Sequence, residues 1–151
     1  MIGRLVASIG LLACLALVAA KALLRSRADD DLDEIDMAVV LARKRFRTRA
    51  RPFLGGTMLV LASTTEMDLR RALPGPTGIE LAVAVIGGHL RLIVPPEWNV
   101  AVTVQPRMSL VTHLPEPEKV DAPWLRMIGR AWFSRVEVIA RPVPTAVVSL
   151  P

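Results

Sequence analysis

The stretch IELAVAVIGGHLRLIV, residues 79–94, decides the fold. Leu81, Val83 and Val85 alternate with Glu80, Ala82 and Ala84; beyond Gly87 and Gly88, Leu90, Leu92 and Val94 alternate with His89, Arg91 and Ile93. Successive side chains of an extended chain point to opposite faces, so an apolar period of two makes a strand with one face buried. The two glycines supply a turn between two such strands.

The same unit recurs on either side. Leu125 to Ile139 overlays it as strand, Trp132-Phe133-Ser134-Arg135, strand, and Met58 to Leu69 fits more loosely around Ser63-Thr64. Val100, Val102 and Val104 continue the alternation, and so do Val136 and Val138. Turn chemistry fills the gaps: Pro74 to Gly78, Pro95-Pro96-Glu97, Pro106, and Pro115 to Pro123. A repeated strand-turn-strand unit cannot bury its apolar face alone, so stacking is the expected solution. The reading is an all-β domain over residues 37–142, a short β-solenoid or β-helix-like stack of strand-turn-strand units, with a β-sandwich as the alternative.

Ahead of this domain the composition changes. Hydrophobic residues make up 52% of the 151-residue chain, and much of the excess lies in its first 24 positions. Leu5, Leu11, Leu12, Leu15, Leu17 and Val18 belong to a run that, as a helix from Ile2 to Leu24, would be about 35 Å long, enough for a hydrocarbon core of about 30 Å. One N-terminal transmembrane helix, within residues 1–27, is therefore expected. A cleaved secretory signal and a lipoprotein signal with Leu11-Leu12-Ala13-Cys14 as its lipobox are the competing readings. Lys21, Arg25 and Arg27 follow the run and Arg4 precedes it, which favours a cytoplasmic domain and leaves the other side open. Asp29, Asp30, Asp31, Asp33, Glu34 and Asp36 make residues 28–36 an acidic spacer; residues 143–151 form a proline-containing tail.

The chain carries a formal net charge of +5. Arg45, Arg47, Arg49 and Arg51 alternate with Phe46, Thr48 and Ala50, so an extended segment places the arginines on one face. That stripe is a candidate contact for anionic lipid or a protein partner, against a solvated face neutralised by the acidic run; no stacking set or motif points to nucleic acid. Trp124 and Trp132 are further candidates for a partner or membrane surface, against core and capping roles. Chemistry has little to stand on. Cys14 is the single cysteine, and His89 and His113 show no zinc-ligand spacing. Neither G-x-S-x-G nor S-x-x-K occurs, and the Gly-Gly pairs lack the lysine and helix of a phosphate loop. Asp68 and Arg70 are expected to pair on one strand face. No catalytic residue, cofactor or metal is predicted.

In order and spacing, several pieces resemble the C-terminal domain of bacterial cell-wall-active-antibiotic response proteins, the LiaF-like proteins. They are Phe53-Leu54-Gly55-Gly56, Met67 to Ala72, Val85-Ile86-Gly87-Gly88, Val94 to Val100, and Phe133 to Val138. Where the family pattern favours Gly-Gly turns, this chain has Ser63-Thr64 and Ser134-Arg135. The resemblance implies a solenoid-like domain attached to the bacterial inner membrane. It also implies a non-enzymatic regulatory role in envelope-stress signalling, through a membrane protein such as a sensor kinase. Self-association into a homo-oligomer, or contact with anionic lipid, is the alternative.

Overall fold

The computed structural model describes residues 34–49, 51–113 and 117–143. The anchor residues Leu5, Leu11, Leu12, Leu15, Leu17 and Val18, the spacer up to Asp33 and the tail from Pro144 lie outside the described residues. Among the described residues there are ten strands and no helix. In chain order they are β1 (Glu34–Val40), β2 (Arg43–Arg47), β3 (Gly55–Leu61), β4 (Thr64–Asp68), β5 (Ile79–Ile86), β6 (His89–Val94), β7 (Asn99–Arg107), β8 (Leu110–His113), β9 (Trp124–Trp132) and β10 (Arg135–Ala140). The first strand starts inside the acidic run, so Glu34 and Asp36 stand on β1 rather than in a spacer.

Odd-numbered strands form one sheet, in the order β1-β3-β5-β9-β7, and even-numbered strands the other, β2-β4-β6-β10-β8. Every neighbouring strand pair is parallel. Each odd strand thus turns into the even strand that follows it, and the units stack as coils of a β-solenoid.

The two-residue corner between strands is the same in every coil. Its first residue has a positive φ: Leu41 (48°), Ala62 (44°), Gly87 (60°), Met108 (50°) and Phe133 (48°). Glycine holds this conformation without strain, and the others do so at about 1 kcal/mol or more each. The corner therefore falls at Ala62–Ser63 and Phe133–Ser134, one residue ahead of the expected Ser63-Thr64 and Ser134-Arg135, and Thr64 opens β4. Corner amides continue the ladder: Leu41 N–H donates to Leu61 O (3.0 Å), Ala62 N–H to Ile86 O (2.8 Å), Gly87 N–H to Trp132 O (2.9 Å) and Phe133 N–H to Arg107 O (3.1 Å). The hydroxyl of Ser63 reaches back to Val39 O (2.8 Å). At Gly88 a Cβ would press on the Ser63 carbonyl, which leaves no room for a side chain in that corner.

Between the sheets the inward positions line up by register. Ile35, Leu81 and Met127 share one row and Met37, Met58 and Val83 the next; in the other sheet Phe46, Met67, Leu92 and Val138 lie in register. All are buried.

One feature breaks the sequential order of a simple solenoid: the last coil, β9–β10, lies between the third coil and β7–β8. The chain leaves β6 at Val94 and re-enters the stack at Asn99. It crosses the core and skips one strand position, about 14 Å in all, within the roughly 17 Å that five Cα steps allow. The vacated slot is filled later by β9, which pairs with β5 and β7, and by β10, which pairs with β6 and β8.

Candidate interaction surfaces

Parallel stacking aligns equivalent outward residues across each sheet, so each face is a set of rows. On the even-strand sheet the central row is Arg45, Glu66, Arg91, Glu137. The signs alternate, and neighbours pair: Arg45 Nε lies 2.9 Å from Glu66 Oε1, Arg91 Nη1 3.9 Å from Glu66 Oε2, and Arg91 Nη2 3.2 Å from Glu137 Oε2. His89 Nε2 adds a contact of 3.3 Å to the Glu137 carboxylate. Partial burial pushes the Glu137 carboxyl up, but the hydrogen bond from Arg91 and the nearby His89 outweigh it, and the net shift is downward. This central row neutralises itself.

At the strand ends, away from the corners, the balance changes. Arg70 donates from Nε to Asp68 Oδ1 (2.8 Å) and from Nη2 to Asp68 Oδ2 (2.7 Å), a two-pronged pair, and from Nη1 to Pro142 O (3.0 Å). The guanidinium fork holds the Asp68 carboxyl below its ordinary value. The expected pair thus exists, but Arg70 sits in the turn after β4, since β4 ends at Asp68. Around it gather Arg47, Arg49, Arg51 and Arg71, all exposed. Phe46 and Thr48 point inward, so the predicted alternation holds from Arg45 to Arg49, although β2 ends at Arg47; Ala50 lies outside the described residues. Its composition as a site differs from expectation: Arg45 belongs to the charge row, and Arg70 and Arg71, from the next coil, join Arg47, Arg49 and Arg51. Only stacking of the second coil on the first brings these two segments together.

The odd-strand sheet carries a different face. Its outward rows include Ala38, Leu59 and Ala84; Leu61, Ile86 and Trp132; and Ala82 beside Ile128. Ile86 is 39% exposed and Ile128 40%. Arg126 and Arg130 flank Ile128 on β9, and no ion pair engages either among the described residues. Trp124 and Trp132 open and close β9, eight residues and about 26 Å apart, so they do not form one patch. Trp132 belongs to the apolar face. Trp124 borders a separate recess of about 280 Å³ where Trp98, Val100 and Val138 meet.

His89 opens β6 and His113 closes β8. Among the described residues no group of three or more His, Cys, Asp or Glu could hold a metal ion. Comparison of the chain with protein-family models, with curated proteins and with solved structures gave no match.

Proposed function

We propose that the chain is a membrane-anchored, non-enzymatic binding module, and that the outward face of its odd-strand sheet takes a protein partner. The observation that carries this reading is the unequal dressing of the two faces. A charge row whose neighbours pair with one another runs across the even-strand sheet, whereas Ile86 and Ile128 are exposed on the other beside half-buried Leu59, Leu61 and Trp132. Exposed apolar area rimmed by polar groups is the usual mark of an interaction site. Arg126 and Arg130, which no ion pair engages among the described residues, favour a partner that presents an apolar strip flanked by carboxylates. The order and spacing of the LiaF-like segments support a membrane protein of envelope-stress signalling, such as a sensor kinase, as that partner. The lysine and arginine bias around the apolar N-terminal run supports an inner-membrane location with the domain on the cytoplasmic side.

A photo-crosslinking residue placed at Ile128, and in a separate variant at Arg91, tests the reading in the full chain in native membranes. The expected outcome is an adduct with one membrane protein from position 128 alone. Ile128→Arg should abolish capture and change an envelope-stress reporter. Adducts only with a second copy of the chain, or none from position 128, would overturn it.

A further inference from the structure

We infer that the arginine cluster at the strand ends of the first two coils is a binding site for the phosphate of anionic lipid headgroups. Five guanidinium groups, those of Arg47, Arg49, Arg51, Arg70 and Arg71, gather there, and among the described residues that line the recess Asp68 is the one carboxylate. Asp68 is already taken by the two-pronged pair with Arg70. Its role is to hold that guanidinium in place, with the Arg70 backbone amide donating to the same carboxylate (3.2 Å). Arg49, Arg51 and Arg71 have no ion-pair partner among the described residues. This is unlike Arg45 and Arg91, whose charges are answered within the row. Arginine presents a planar fork of donors that matches phosphate oxygens, so a cluster of unanswered guanidinium groups selects phosphate over a diffuse anion.

Position in the fold selects the source. Each coil doubles back at its corner, so the ends of the even strands lie beside the starts of the odd strands. The cluster therefore sits at the end of the solenoid where the chain enters β1. Nine residues, 25–33, separate the apolar run from Glu34 and span at most about 30 Å. A domain on so short a lead holds this end toward the bilayer. The inference rests on the membrane-anchored reading, and it adds a ligand and a face distinct from the odd-strand sheet.

The test uses the full chain in nanodiscs, with amide hydrogen exchange as the readout. Anionic phosphatidylglycerol, compared with pure phosphatidylcholine, should slow exchange in peptides covering 47–53 and 69–73 by about tenfold, the weight of one to two phosphate–arginine contacts at the surface. The R49Q/R51Q/R71Q variant should lose that difference and keep the exchange pattern of β5 and β6, which shows that it folds. Equal exchange in the two lipids would overturn the inference. So would slowing in both lipids that disappears when Asp29, Asp30, Asp31 and Asp33 become Asn, because the acidic run would then be the occupant. Protection by inorganic phosphate in neutral detergent, with none from phosphatidylglycerol, would assign the site to a soluble anion and overturn the lipid source. Failure of the chain to enter nanodiscs at all would instead break the anchored reading, and with it the premise.

Discussion

The two faces of the solenoid are made by the same repeat and are dressed in opposite ways. On even strands the outward row Arg45, Glu66, Arg91, Glu137 alternates in sign, so stacking one coil on the next brings each charge beside its opposite. On odd strands the outward rows mix Ala38, Leu59 and Ala84 with Arg130, and Ala82 and Ile128 with Asp36 and Thr57, while Leu61, Ile86 and Trp132 form a row that is apolar across three strands. In a parallel solenoid a residue type repeated down a column becomes a stripe, so a small bias per coil becomes a property of a whole face. The charged face is complete in itself, and the apolar one has surface left to bury. That difference, more than any single side chain, underlies the proposal of a partner on the odd-strand face.

The comparison presupposes that β9 completes the odd-strand sheet, and Gly129 is where that can be broken most severely. Gly129 has φ +149°, and a Cβ there would fall inside the Val83 carbonyl of the neighbouring strand. Gly129→Ala should cost about 4 kcal/mol, from backbone strain and overpacking together, read by urea unfolding of the full chain in mild detergent with tryptophan fluorescence. A loss below about 1 kcal/mol would mean that β9 is not wedged between β5 and β7.

Core and face separate next. Leu92 is fully buried under the charged face, and Leu92→Ala should cost about 3 kcal/mol. On the apolar face Ile128→Ala should cost under about 1 kcal/mol and yet diminish partner capture. A large stability loss at Ile128 would make that face structural instead.

Acid supplies the smallest effect, and it is read on the even-strand side. Asp68 and Glu137 both titrate below their ordinary values of 3.8 and 4.5 in the fold. The stability they confer is therefore fully present above those values and is lost as pH falls through the lower, folded ones. The melting temperature should drop on acidification from about pH 5 to below about pH 3, and Asp68→Asn should drop less steeply over that window. An identical slope would show that the Asp68–Arg70 pair contributes nothing to the pH dependence.

Much of the fold was legible in the sequence because a half-buried strand needs an apolar residue at every second position, and Leu81 to Val94 spells that out twice around Gly87-Gly88. The corners were harder to read. Ala62 and Phe133 hold a left-handed conformation that a sequence advertises only when glycine occupies it, so the turn read at Ser63-Thr64 was displaced by one residue, while the corner Phe133–Ser134 falls within the four residues read as a turn there. The candidate site was half visible. Alternation from Arg45 to Arg51 put those side chains on one face, but the pairing of Arg45 with Glu66 and the arrival of Arg70 and Arg71 depend on the next coil, offset by 21 residues in the strand register. Nothing local records that.

By itself the sequence determined the strand-turn-strand unit, the inward and outward side of each strand, and an apolar run ahead of them, since all three follow from the identity of adjacent residues. Only the tertiary structure decided that the last coil lies inside the stack and the fourth at its end. The inward rows supply the reason. Lys44 on β2 and His113 on β8 occupy inward register positions beside Thr65 and Val138, and both are half-buried. An ionisable side chain in such a row is tolerated at an open end and is costly between two coils. Placing β9–β10 in the interior buries Leu125, Met127 and Val136 completely and leaves the smaller Val100, Val102 and Val111 half-buried at the edge. This distribution of burial over the whole stack settles the order of the coils, and no single segment contains it.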